Sequence, residues 1–460
     1  MRTLLKNIYH LYTGDGSRQR HRGVDLLIDG NAIVRIGRDI EAEGARVLDC
    51  STKLVVPGLV NTHHHMYQTL QRNIPAAQNV ELFDWLITLY PIWAHLDAEV
   101  IDVSTQLASA ELLKTGCTTS SDHHYVFPQG VAEDLIATQF AAAEKIGIRF
   151  CATRGSMSRG KSSGGLPPDS VVQDEATILQ DSKRLIESFH DDSRFSMRRL
   201  ALAPCSPFSV SADLMKKTAE LARQYGVYLH THLAETRDEE SYCLENYGKR
   251  PLALMADCDW LGKDVWYAHG IFFDDQELDQ LAETGTGIAH CPSSNMRLGS
   301  GICRLLEMGK RNMRVGLAVD GSASNDSSDM LGELRNCLLL QRVKEGAAAI
   351  GAEEVFHIAT RGSASLLGWD SIGSIEEGKA ADLALFEMNR LDYAGALADP
   401  LAATIFSGSS HNADTTIVNG KIVVEGGRLV TIDEQELTDR ANALCAKMLA
   451  AEGYSTEWIL

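Results

Sequence analysis

The chain has 460 residues, 44% of them hydrophobic and 23% charged, which is the profile of a globular protein with a deep core rather than a disordered one. Its formal charge of −19 argues against a nucleic-acid partner, which needs a basic footprint for phosphates, and against an anionic membrane surface. The class of partner that remains is a small, neutral or weakly charged molecule.

Residues 1–16 hold no apolar run that could serve as a signal-peptide core, and no later stretch reaches the ~18 apolar residues of a membrane span. The ten cysteines are scattered without a C-x-x-C pair, which reads as reduced, buried thiols and a cytoplasmic location. Residues 24–28 and 32–36 alternate apolar and polar positions around Asp29-Gly30-Asn31, so they predict a strand, a tight turn and a second strand. Residues 381–386 and 415–424 repeat this style near the other end. Residues 1–57 and 371–460 are therefore expected to build one small β-sandwich from both termini, with a terminal helix, around an inserted domain at 58–370.

The middle of the chain alternates apolar strand-like runs with helical patterns. Eight strands are predicted, at 54–65, 117–124, 148–155, 200–205, 227–233, 265–270, 287–291 and 315–320, with helices between them at 132–146, 212–225 and 274–284. This count and spacing fit an α/β fold of the (β/α)8, TIM-type barrel kind, with a doubly wound open sheet as the alternative. Residues 82–114 are longer than one barrel helix needs. The aromatics Phe83, Trp85, Tyr90 and Trp93 there either wall a pocket or form a core stripe. The Gly/Ser/Pro-rich residues 155–170 read as a mobile loop beyond the third strand.

In such barrels the active site lies at the C-terminal ends of the strands. His63 and His65 end the first predicted strand, His232 the fifth, His269 the sixth, His290 the seventh and Asp320 the eighth, a regular placement for a chain with fifteen histidines. Strand side chains alternate, so His63 and His65 face one way and His64 the other, and an H-x-H pair can chelate one ion. Taken alone, the pair could equally be solvated or core histidines. With His232 as a third nitrogen and Asp320 as an oxygen, the set suits one divalent metal ion, zinc by ligand preference, with a place left for water. Glu235, three residues past His232, is the candidate proton shuttle, and His269 the candidate for polarising the attacked carbon or steadying a developing alkoxide. His290 either hydrogen-bonds within the site or is structural, and His230 reads as a supporting or core histidine. The fourth strand carries no lysine that could bridge a second ion.

The segments Pro57-Gly58-Leu59-Val60-Asn61-Thr62-His63-His64-His65, Thr231-His232-Leu233-Ala234-Glu235-Thr236, Ala268-His269-Gly270, His290-Cys291-Pro292-Ser293-Ser294-Asn295 and Gly316-Leu317-Ala318-Val319-Asp320-Gly321-Ser322 together resemble the amidohydrolase superfamily, in its cytosine/guanine deaminase and triazine hydrolase branch. The resemblance runs through essentially the whole chain. It implies a barrel inside a small β-sandwich, one divalent metal on His63, His65, His232 and Asp320, and proton handling by Glu235, His269 and Asp320. The zinc deaminases of the other fold are excluded, because H-x-E and P-C-x-x-C are absent.

Within the branch, residues 63–73, Leu89-Tyr90-Pro91-Ile92-Trp93-Ala94, Ser121-Asp122-His123-His124-Tyr125 and Ala203-Pro204-Cys205-Ser206-Pro207 are most similar to 8-oxoguanine deaminases. Isoxanthopterin and guanine deaminases and hydroxyatrazine-type aminohydrolases are the competing readings. The resemblance thus implies hydrolysis of an amino group from a purine-like heterocycle. Gln68 would then face the ring's donor/acceptor edge, and Tyr125 and Cys205 would contact substrate or merely pack. It also implies a homo-oligomer. A catalytically inactive barrel scaffold is the non-enzyme alternative, which usually loses a ligand or the proton shuttle, whereas this chain keeps the full set.

Overall fold

The computed structural model describes residues 2–459, and Met1 and Leu460, the outer ends of the two expected terminal segments, lie outside the described residues. At its centre eight strands stand in unbroken chain order: Leu59–Asn61, Cys117–Ser121, Arg149–Ser156, Arg198–Pro204, Leu229–Leu233, Val265–His269, Gly287–His290 and Val315–Leu317. Every neighbouring pair is parallel. The eighth strand returns to the first, where Thr62 N–H donates to Leu317 O at 3.1 Å and Val319 N–H to Asn61 Oδ1 at 3.0 Å. Sequential order with a closed seam makes this a (β/α)8, TIM-type barrel and rules out the open doubly wound sheet.

The connecting helices begin where the chain supplies caps. Asp134, Ser211 and Asp274 accept backbone N–H groups at the starts of Leu135–Ile146, Ala212–Tyr225 and Asp275–Thr284. The long segment before the second strand is two helices, Leu82–Trp93 and Ala98–Lys114, because Pro91 disrupts the first and Asp97 caps the second through Val100 N–H at 2.9 Å.

The predicted strand at 54–65 is in fact two. Lys53–Pro57 belongs to a different sheet from Leu59–Asn61, and the chain changes sheets at Gly58, where a Cβ would lie 2.2 Å from Thr118. His63 and His65 consequently stand beyond the strand rather than at its end. The third strand runs on through Ser156, so the expected loop starts later than residue 155. Gly155 N–H donates to His124 O at 2.9 Å, and a Cβ on Gly155 would meet that same oxygen at 2.2 Å.

Strands from the two ends of the chain form a four-stranded sheet and a seven-stranded sheet beside the barrel. The larger one pairs Leu383–Glu387 antiparallel with Lys53–Pro57, so N- and C-terminal segments share one ladder. Leu5, Ile8, Leu26, Ile28, Val55, Leu383 and Leu385 form a core of their own between the sheets. The terminal helix is Glu434–Ala451. All ten cysteines are free and nine are buried. Among the described residues no helix is long and apolar enough to cross a membrane.

A buried ion pair joins the barrel to the terminal sheets. Arg149, on the third barrel strand, donates to both carboxylate oxygens of Asp382 at 2.9 and 3.0 Å, and both side chains are essentially inaccessible. Asp382 also receives Asn419 N–H at 2.7 Å. Removing one member of such a pair strands the other charge in a dry interior. Asp382→Ala is therefore expected to lower stability by about 3–5 kcal/mol in urea unfolding, whereas an unchanged midpoint would show that the pair contributes nothing.

Candidate metal centre and active site

His63, His65, His232 and Asp320 come together at the C-terminal mouth of the barrel. His65 Nε2 lies 3.1 Å from His232 Nε2, and Asp320 Oδ1 lies 3.3 Å from His63 Nε2 and 3.2 Å from His65 Nε2. The hydrogen bonds behind the rings decide which nitrogens carry protons. His65 Nδ1 faces His123 O at 2.7 Å and His232 Nδ1 faces Cys205 O at 2.6 Å. A carbonyl only accepts, so each Nδ1 is the N–H, and each neutral ring keeps its lone pair on Nε2. His63 Nδ1 is engaged by His230, and its Nε2 is buried with no hydrogen-bond partner.

Lone-pair nitrogens and a carboxylate oxygen packed this closely repel one another unless a cation stands among them. Donors 2.0–2.1 Å from a tetrahedral ion lie roughly 3.3 Å apart, close to the spacings found here. The residues present thus fit a divalent ion, and nitrogen-rich sets with one carboxylate suit zinc. Burial drives His232 well below the ordinary histidine value, which keeps it a neutral donor.

Two further groups face the same point. His269 Nε2 lies 3.4 Å from Glu235 Oε2 and 4.0 Å from Asp320 Oδ2. Its Nδ1 contacts Asn295 Oδ1 at 2.9 Å, which orients the ring. Asp320 therefore turns Oδ1 to the histidine nitrogens and Oδ2 toward His269. Burial raises the Glu235 carboxyl above its ordinary value, the direction that favours a proton-carrying role. Ala234, His269 and Asp320 all adopt left-handed backbone, with φ of 54°, 73° and 64°. Such strain in non-glycine residues gathers at functional sites, and here it turns the chain at the ends of the fifth, sixth and eighth strands. Glu239 holds the first of these turns by accepting Ala234 N–H at 3.0 Å and Glu235 N–H at 3.1 Å.

A cleft lined by Gln68, Tyr125, Cys205, Leu82, Trp85, Leu86, Phe208, Leu298 and Ser324 opens onto these groups. Gln68, Tyr125 and Cys205, expected as substrate contacts, all reach it. Gln68 is fully buried and neither amide atom has a partner, which leaves one donor group and one acceptor for a ligand edge. The lining also includes apolar residues, among them Trp85 from the Leu82–Trp93 helix. Tyr90 and Trp93 are core residues, and Phe83 packs on Phe208 at 5.1 Å. The cleft's open volume is only about 30 Å³, against roughly 300 Å³ for sites that hold drug-sized ligands, so it is closed and must widen to admit one.

His64 turns the other way, to Ser328 Oγ at 3.0 Å. His290 is fully buried, lies outside the cleft lining and has no hydrogen-bond partner on either nitrogen. His123 was not singled out from the sequence, yet its donor atom lies within 4.8 Å of those of His63, His65 and His232. Its Nε2–H donates to Ala203 O at 2.8 Å and its Nδ1 is buried without a partner. The strand-end rule that singled out His232 would have found it, because it stands at the end of the predicted strand 117–124.

Comparisons with known proteins accord with this geometry. The model of the Amidohydrolase family matches residues 54–423. An 8-oxoguanine deaminase of Pseudomonas aeruginosa is 45% identical over 98% of this chain and 99% of its own length. An isoxanthopterin deaminase from an unknown prokaryotic organism is 35% identical over 97% of each. Among solved structures, an atrazine chlorohydrolase from Arthrobacter aurescens TC1 complexed with zinc superposes with a TM-score of 0.92 at 33% identity, covering 96% of this chain and 100% of that one.

Elemental analysis of the purified protein is expected to find about one divalent ion per chain, lost in Asp320→Ala and in His232→Ala. A second expectation concerns pH. Glu333 is buried between the loops after the seventh and eighth strands, accepting from Ser293 N–H at 3.2 Å and Asn325 Nδ2 at 2.9 Å, and burial pushes its carboxyl from 4.5 to about 8. A carboxyl raised on folding favours the native state below its unfolded pKa, and that contribution is lost as pH rises through the folded value. Stability of the metal-free protein should therefore fall between pH 4.5 and about 8, and Glu333→Gln should flatten the slope. A slope unchanged in the variant would remove Glu333 as its source.

Proposed function

The chain belongs to the amidohydrolase family, and we propose that it is a metal-dependent hydrolytic deaminase of an amino-substituted purine-like heterocycle, with 8-oxoguanine as substrate and urate and ammonia as products. The observation that carries this reading is the meeting of lone-pair nitrogens and Asp320 Oδ1 beside a protonatable Glu235. The 45% identity to an 8-oxoguanine deaminase over nearly the full length supports the choice of ring. The cleft's lining supports it, since the Gln68 amide together with apolar Trp85, Leu86 and Phe208 suits an uncharged planar ligand once the cleft widens. No lysine or arginine lines that cleft.

A divalent ion held by His63, His65, His232 and Asp320, zinc in our reading, would lower the pKa of water toward ~7. The remaining work falls to side chains. Water adds its oxygen to the ring carbon bearing the amino group, and Asp320, at Oδ2, takes one of its protons. Glu235 gives its own proton to the ring nitrogen beside that carbon, and His269, held by Asn295, steadies the charge on the new oxygen. Asp320 then returns its proton to the exocyclic nitrogen, the carbon–nitrogen bond breaks and ammonia leaves. The remaining hydroxyl proton passes to Glu235, which restores both carboxyl groups.

Metal-replete protein should release ammonia and urate from 8-oxoguanine faster than ammonia from isoxanthopterin or guanine, and faster than alkylamine from an N-alkyl hydroxytriazine. Glu235→Gln should lower kcat/KM by about 10²–10⁴-fold with the metal retained. Preferential alkylamine release would move the chain to the triazine reading, and no turnover of any of these rings would remove the deaminase assignment.

A further inference from the structure

Of the three histidines that offer Nε2 to the centre, His65 and His232 are oriented by backbone carbonyls, whereas His63 is oriented by a side chain. His230 Nε2 lies 2.7 Å from His63 Nδ1, and His230 Nδ1 lies 2.9 Å from Trp266 O. Both rings are fully buried. The proton assignment follows link by link. Trp266 O can only accept, so His230 carries its proton on Nδ1 and the neutral ring has a bare Nε2. That Nε2 can only accept, so His63 must carry its proton on Nδ1. The lone pair of His63 is thereby placed on Nε2, the atom that faces Asp320 Oδ1.

The ring of His230 is fixed in turn. It stacks on Trp266 with centroids 4.4 Å apart and planes 15° apart. Trp266 Nε1–H donates to Thr62 O at 3.1 Å, one residue before His63. The contacts thus form a closed loop, from Thr62 through Trp266 and His230 back to His63, which ties the segment after the first strand to the fifth and sixth strands. We propose that His230 is a positioning residue that holds His63 in the one tautomer and pose able to donate Nε2 to the cation. This rests on the metal-dependent reading of the site.

The bond to His63 runs through a side chain, so substitution can remove it while leaving the packing in place. His230→Phe keeps a flat ring over Trp266 but offers no acceptor, and His230→Gln restores an acceptor oxygen at about the same reach. Zinc affinity would be measured on the full-length, metal-stripped protein by competition with a chromophoric chelator, alongside the visible spectrum of the cobalt form and the melting temperature of the metal-free protein. We expect His230→Phe to bind zinc about 10–100-fold more weakly, with an altered cobalt spectrum and a nearly unchanged metal-free melting temperature. His230→Gln should bind close to the parent level. If the Phe variant does not fold, His230→Leu makes the same test.

Parent-like zinc affinity in the Phe or Leu variant would overturn the proposal, as would a Gln variant as weak as the Phe variant, because packing alone would then explain His230. A parent protein that binds no divalent ion would instead overturn the metal-dependent reading, and this proposal with it.

Discussion

Everything at the mouth of this barrel is arranged around an electrostatic conflict that only a cation relieves. The hydrogen bonds behind His63, His65 and His232 commit each Nδ1 as a donor and leave each Nε2 as a bare acceptor. Asp320 Oδ1 is then held 3.2–3.3 Å from two of those acceptors, on His63 and His65. A pocket evolved only to be stable would have scattered these groups or given them donors. Their convergence costs stability that a bound ion can repay, and this is how metal binding becomes coupled to the fold.

The fold supplies this convergence through strand order and backbone strain. Parallel strands bring every C-terminal end to one rim, so residues far apart in sequence become neighbours. The left-handed turns at Ala234, His269 and Asp320 then aim their neighbours or themselves inward. Each strained point is secured by a buried group: Glu239 holds the backbone at Ala234, and Asn295 holds the ring of His269. Gly321 N–H donates to Asp320 Oδ1 at 2.7 Å, and a Cβ on Gly321 would lie 1.9 Å from the Gln68 amide. Asp320, the proposed metal ligand, and Gln68, the proposed ring contact, thus meet at Gly321, so a side chain there would disturb both.

Much of this was legible in the sequence, for a simple reason. Strand-like apolar runs announce a barrel by their number and spacing, and a titratable residue where such a run stops needs a use. His63, His65, His232, His269 and Asp320 were found in that way. What escaped was set by the third dimension. Strand ends differ because backbone turned at Asp320 or Gly58 breaks a ladder that hydropathy alone would continue. Gly155 read as the start of a loop, although its missing side chain allows the third strand to lie against His124. His123 stands at a predicted strand end like His232, but that its ring stacks on His232, at 4.7 Å between centroids, is set by the fold alone. The role of His230 depends on a bond to a residue 167 positions away, which no local pattern carries.

The central claim is that imidazole nitrogens from His63, His65 and His232 and one oxygen of Asp320 bind a single cation. X-ray absorption spectroscopy of the zinc-loaded protein tests it most directly. The predicted spectrum has a first shell of nitrogen and oxygen only, at about 2.0–2.1 Å, with the outer-shell scattering of three imidazoles. A sulfur neighbour near 2.3 Å, or scattering from fewer imidazoles, would place the ion elsewhere and contradict the account.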